Sequence, residues 1–201
     1  MSSTTLAFEK KALTKLVGRP THATVTKLYS EVYANASSID CSGGGGEHGH
    51  LGLVMSPEEY AEIQGTVAFT ATAHPGEQPA YAAGANGPVI AAEDRAYDKR
   101  LSAHEKTMRV QAELKQQVIE AVEEKYLQLL KHKLHGYKLS TIRTMLEHLQ
   151  STYGEVTSAD HAANREKLTA EWNPDNDLED LWTRIKEIQE FAGNGEEKIS
   201  D

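Results

Sequence analysis

Asp177-Leu-Glu-Asp-Leu-Trp-Thr-Arg-Ile-Lys-Glu-Ile-Gln-Glu-Phe191 carries the strongest helical pattern in the chain. Leu178, Leu181, Trp182, Ile185, Ile188 and Phe191 recur at spacings that align them on one side of an α-helix. Asp177 with Asp180 can cap its start, and Asp180 to Arg184 predicts an ion pair one turn apart. Gly193 and Gly195 end it. The same logic read backwards finds a second stripe in Ile142, Met145, Leu146, Leu149 and Tyr153, stopped by Gly154. Between the two, Thr157 with Asp160 can cap a third helix, whose stripe of His161, Arg165, Leu168 and Trp172 is poor.

Further upstream, residues 92–135 contain no Gly or Pro. Val110, Leu114, Val118, Val122, Tyr126, Leu129 and Leu130 mark one helical face there. The pattern is weak before Val110, which predicts a projecting or separate helix. Lys131, His132, Lys133 and His135 precede Gly136, the arrangement expected of a helix end. Nearer the N-terminus, Val25, Leu28, Tyr29, Val32, Tyr33 and Ala36 form another stripe, and Leu13, Leu16 and Val17 predict a short helix ended by Gly18 and Pro20. Ser56-Pro57-Glu58-Glu59 is a helix start with a capping box.

Strand signals are nearly absent. The expected fold class is all-α, an antiparallel helical cluster with an irregular Gly-rich N-terminal part. Residues 65–91 hold eight Ala, four Gly and three Pro, with Glu77 the one charged residue, and read as a linker or loop. The expected divisions are 1–64 (N-terminal helices and Gly-rich segment), 65–91, a helical body over 92–192, and a disordered tail over 193–201.

Charge and composition narrow the function classes. The 201 residues are 39% hydrophobic and carry a net charge of −9. Residues 1–100 hold 11 acids against 8 bases, and 101–201 hold 19 against 13, so neither half has the positive balance of a dedicated nucleic-acid binder. Cys41 is the single cysteine, which excludes an intramolecular disulfide. No apolar run approaches the ~20 residues that span a bilayer. The N-terminus lacks the pattern of a signal peptide. A soluble, cytoplasmic protein is expected.

Candidate chemistry is sparse. Cys41, His48, His50 and His74 offer soft or imidazole ligands, but their spacing matches no zinc knuckle or finger, and a solvated Gly-rich loop is the preferred reading. Gly43 to Gly46 lack the Lys and Ser or Thr of a phosphate loop. Glu120, Glu123 and Glu124 read as a solvated helix face. No Ser-His-Asp order appears, so no enzyme, metal or cofactor is expected. Lys131, Lys133 and Lys138, with His132 and His135, form the one compact basic cluster; a polyanion contact is set against helix-end charge compensation, which is favoured. Trp172 and Trp182 read as core residues in preference to partner anchors.

Two stretches resemble the Gag polyprotein of copia-type LTR retrotransposons. The first contains Leu13-Thr-Lys-Leu-Val-Gly-Arg-Pro-Thr21, Glu31-Val-Tyr33-Ala-Asn-Ala36, and Gly44-Gly-Gly-Glu-His48-Gly-His50-Leu-Gly-Leu-Val-Met55, ending at Glu59-Tyr60. The second contains Gly136-Tyr137, Leu146-Glu-His-Leu149 with Tyr153-Gly154, Thr157 with Asp160, Trp172-Asn-Pro174, and the Leu181-Trp182 helix ending at Phe191-Ala192. Together they cover about two-thirds of the chain. The resemblance implies an all-helical capsid protein without catalytic activity, which self-associates into virus-like particles and packages element RNA in the cytoplasm. The basic or Cys-His segment that often carries RNA affinity in such proteins is absent from this sequence. Similar proteins continue past the Phe191-Ala192 helix, so a truncated capsid region is implied. A host-adapted, Gag-derived module that binds a partner protein is the alternative.

Overall fold

The computed structural model describes residues 8–10, 12–63, 67–81, 84, 86–173 and 177–193. Among them the protein is all-α: α1 (His22–Ser37), α2 (Pro57–Ala61), α3 (Gly87–Ala121), α4 (Glu124–Leu127), α5 (Ile142–Tyr153), α6 (Ser158–Thr169) and α7 (Leu178–Gly193), with three short 3-10 turns and no strand. Local chemistry sets the starts. The Thr21, Ser56 and Thr157 hydroxyls accept from the backbone three residues on, and residue N3 answers each with its own side chain. Pro57 and Pro88 occupy first-turn positions, where a missing N–H leaves no bond unmade.

The core is a three-helix packing of α1, α3 and α5. Val25, Leu28, Val32 and Ala36 meet Val110, Leu114 and Val118, and Ile142, Met145, Leu146 and Leu149 close the third side. Every one of these is essentially inaccessible to water, so their burial dominates stability at ~25 cal/mol per Å² of apolar surface. The buried Asn35 ties the layers together. Its amide donates to the Lys10 carbonyl (3.1 Å) and to Gln117 on α3 (2.8 Å), and its oxygen accepts from the Lys10 N–H (2.6 Å). Residues from 1–64 and from 92–192 thus share one core.

Several expectations need correction. Leu13 and Leu16 are buried, but from a non-helical segment. The Leu16 N–H donates to the Ala121 carbonyl (2.8 Å), and Thr14 bonds the Glu31 carboxylate twice (2.6 Å each). With Gly18 and Pro20 following, too few residues remain for a helix to repay its nucleation cost. The long helix does not run to His135. It stops at Ala121, because Val122 turns extended (φ −110°, ψ 131°) and enters the core. Lys131 to His135 therefore lie in a loop and are not a helix end.

The 65–91 reading also changes. Residues 87–91 are the first turn of α3. Residues 67–81 run back along its exposed N-terminal half. Thr72 O accepts from His104 Nδ1 (2.8 Å), Gly76 O from the Tyr97 hydroxyl (3.0 Å), and Asp94 from Gln78 (3.2 Å) and Tyr81. No residue of α3 before Thr107 is buried, so about 30 Å of helix projects from the core with this segment as companion.

Candidate interaction surface

The Gly-rich segment is an internal plug, which overturns its reading as a solvated loop. His50 is 1% exposed. Its Nδ1 lies 2.8 Å from the Ile39 carbonyl, which can only accept, so Nδ1 carries the proton and Nε2 faces the Thr107 hydroxyl at 3.4 Å. His50 N–H donates to Ala36 O (2.8 Å), so one residue joins the end of α1 to the middle of α3. Burial pushes the His50 pKa down, the Ile39 bond pulls it up, and Lys106 and Asp40 act in opposite senses. Gly49 sits at φ +61°, where a Cβ would stand 2.5 Å from Ser37 O and 2.7 Å from Ile39 O. A Cβ at Gly52 would stand 2.1 Å from Phe69 Cγ and 2.3 Å from Phe69 Cβ, which leaves no room for a side chain. Thr70 N–H donates to Gly44 O (2.7 Å), and the buried Tyr60 hydroxyl donates to Gly45 O, so the glycines form a saddle for the 67–72 segment. His48 is half-buried and packs edge-on to Tyr60 (6.3 Å). The site candidates Cys41, His48, His50 and His74 are spent in structural roles or dispersed, and among the described residues no group of three His, Cys, Asp or Glu can hold a metal ion.

The remaining motif positions divide by region. Leu146 and Leu149 are in the core; Tyr33 and Tyr153 pack on its margin. Burial, followed by the charge of Glu59, pushes the Tyr33 pKa up to about 12, against the opposing pull of the Arg143 guanidinium. Gly154 is buried and its carbonyl accepts from His22 Nδ1 (2.6 Å). Phe191 packs edge-on to His22 (5.6 Å) and His161 (6.0 Å), which fastens α7 to the start of α1 and to α6. Trp172 and Leu181 are half-buried, and Pro174 lies outside the described residues. Trp182 is 66% exposed and Leu178 is 64% exposed, against the core role expected of them. The physical reason is the partner: α6 contributes Asn164, bonded to Ile188 O (3.0 Å), as its one buried residue, so it has no apolar face for the start of α7 to cover. Arg184 donates to Ala170 O (3.2 Å) in place of the expected pair with Asp180.

The basic cluster lies on an ordered loop between α4 and α5. His132 and Gly136 exchange backbone bonds (2.8 and 2.9 Å), and Gly136 takes φ +55°. His132 and His135 stack at 4.9 Å, while Lys115 from α3 holds the Tyr137 and Ser140 carbonyls (the latter at 2.6 Å). Lys131 pairs with Glu124; Lys133 and Lys138 make no ion pair among the described residues. Three leucines project from this frame: Leu129 (86% exposed), Leu134 (84%) and Leu139 (69%). Sequence reasoning missed them because Leu129 matched the helical face and the other two match no periodic pattern.

A cleft of about 250 Å³ opens between α1 and α5, lined by Tyr29, Glu59, Arg143 and Glu147. Its serines are occupied: Ser56 caps α2, and Ser151 donates to the His148 carbonyl (3.2 Å). Glu59 completes the Ser56 cap and Arg143 donates to Gly52 O (2.8 Å). No nucleophile stands beside a free base there. No family model, curated protein or solved structure matches the chain. Among the described residues no helix is long and apolar enough to cross a membrane.

Proposed function

We propose that this chain is a structural, Gag-type protein related to the capsid region of copia-type retrotransposons, which acts by self-association and performs no catalysis. The observation that carries the reading is a rigid helical body with ordered, outward-facing leucines and an exposed Trp182, as shell-building subunits require. The two-stretch resemblance gives that surface its context. Assembly into cytoplasmic particles that package element RNA follows from the same reading. RNA contact within this chain would rest on Lys133 and Lys138, with Lys131 already paired to Glu124.

Mass-resolved light scattering over a concentration series, in low and moderate salt, tests the proposal. Growth into dimers and larger species is expected. A clean monomer throughout would overturn it and favour the Gag-derived module that docks a different protein through the same exposed residues.

A further inference from the structure

The two exposed apolar patches carry opposite charge. Residues 129–139 contain Lys131, Lys133 and Lys138 and no acid. Residues 171–180 contain Glu171, Asp175, Asp177, Glu179 and Asp180 and no base. Each segment adjoins large apolar side chains left in water: Leu129, Leu134 and Leu139 on the first, Leu178 and Trp182 on the second. Among the described residues nothing of the same chain covers either patch. Leu178 and Trp182 stand four residues apart on one helix, hence on one face.

We infer that these patches are the two halves of one contact between copies of this chain: the start of α7 on one copy seats Trp182 among the loop leucines of the next. The acids of the 177–180 turn then face Lys133 and Lys138. Tryptophan is the side chain that most often dominates an interface, because it buries a large rigid area at small entropic cost. Complementary charge at the rim sets register and orientation. The loop needs no rearrangement to receive it, since the His132–Gly136 bonds and Lys115 already hold its shape. Because two different surfaces meet, each added copy uses one of its patches and leaves the other free, so the contact propagates without requiring closure. The inference rests on the self-association reading above and specifies its contact.

Charge reversal separates the two ideas. The test compares wild-type protein, Lys133→Glu/Lys138→Glu and Glu179→Lys/Asp180→Lys by sedimentation velocity at low salt, with circular dichroism to follow helix content. Wild type is expected to associate with concentration, and each variant alone to associate at least about tenfold more weakly. An equimolar mixture of the two variants should regain association, because each then offers the patch that complements the other. Trp182→Ala, which leaves the charges and the helix start in place, should weaken wild-type association comparably. Wild-type association that neither variant nor Trp182→Ala diminishes would overturn this contact while leaving self-association standing. A mixture that stays monomeric with both variants helical would overturn it too. A monomeric wild type would remove both.

Discussion

The α1–α3–α5 core and the α6–α7 hairpin come from helices of similar apparent quality, yet they end in different states. On α5, Ile142, Met145, Leu146 and Leu149 are all buried, because α1 and α3 present matching apolar faces. On α7, Ile188 and Ala192 are buried, Leu181, Ile185 and Phe191 are partly covered, and Leu178 and Trp182 stand in water. An amphipathic stripe specifies what a helix can bury. Its neighbours determine what it does bury. The core is therefore where stability resides, and the hairpin is where apolar surface remains in water.

Truncation should separate the two regions most sharply. Leu114→Ala is expected to cost about 3 kcal/mol, as for fully buried leucines. Leu181→Ala on the half-buried α7 face should cost about 1 kcal/mol or less. Urea unfolding followed by circular dichroism measures both, and equal losses would place α7 in the same core. Gly49→Ala should cost about 2 kcal/mol or more, since the new Cβ meets two carbonyls at a left-handed backbone position. A neutral result there would mean that the Gly-rich segment is not a core plug.

The His50 imidazole gives a subtler handle. Its pKa is depressed when folded, so the folded state binds fewer protons than the unfolded chain. Stability is complete above the ordinary histidine value of about 6.5 and declines as pH falls through it towards the lower folded value. Denaturation at about pH 7.5 and about pH 5.5 should show that decline, and His50→Gln should flatten it. A variant with the same pH dependence as wild type would assign the effect to another group. The smallest expected change is at Trp182: the Ala variant should keep stability within about 0.5 kcal/mol. A larger loss would show that the hairpin depends on this ring, and that the contrast with the core is weaker than its exposure indicates.

Much of this organisation was legible in the residues. The all-α class followed from stripes at helical spacing, and the starts of α2 and α6 from Ser56-Pro57 with Glu59 and from Thr157 with Asp160. Such features depend on residues within a turn of one another, so local bonding suffices to predict them. The ends of the long helix were not legible. Ala121 terminates it because its carbonyl meets Leu16 and Val122 enters the core, interactions spanning about half the chain. The glycines of 43–52 looked like a flexible loop for the same reason, since Phe69 and the Ile39 carbonyl that crowd them are remote or unmarked in sequence.

By itself, then, the sequence determined the all-α class, the apolar stripes of α1, α5 and α7, and the capping residues that start α2 and α6. Only the tertiary structure decided that His50 is buried, that Leu129, Leu134 and Leu139 point outwards, and that Trp182 lacks cover. Helix formation answers to neighbours along the chain, within the reach of one hydrogen-bonded turn. Burial answers to neighbours in space, and a side chain stays in water wherever no second apolar face arrives to exclude it.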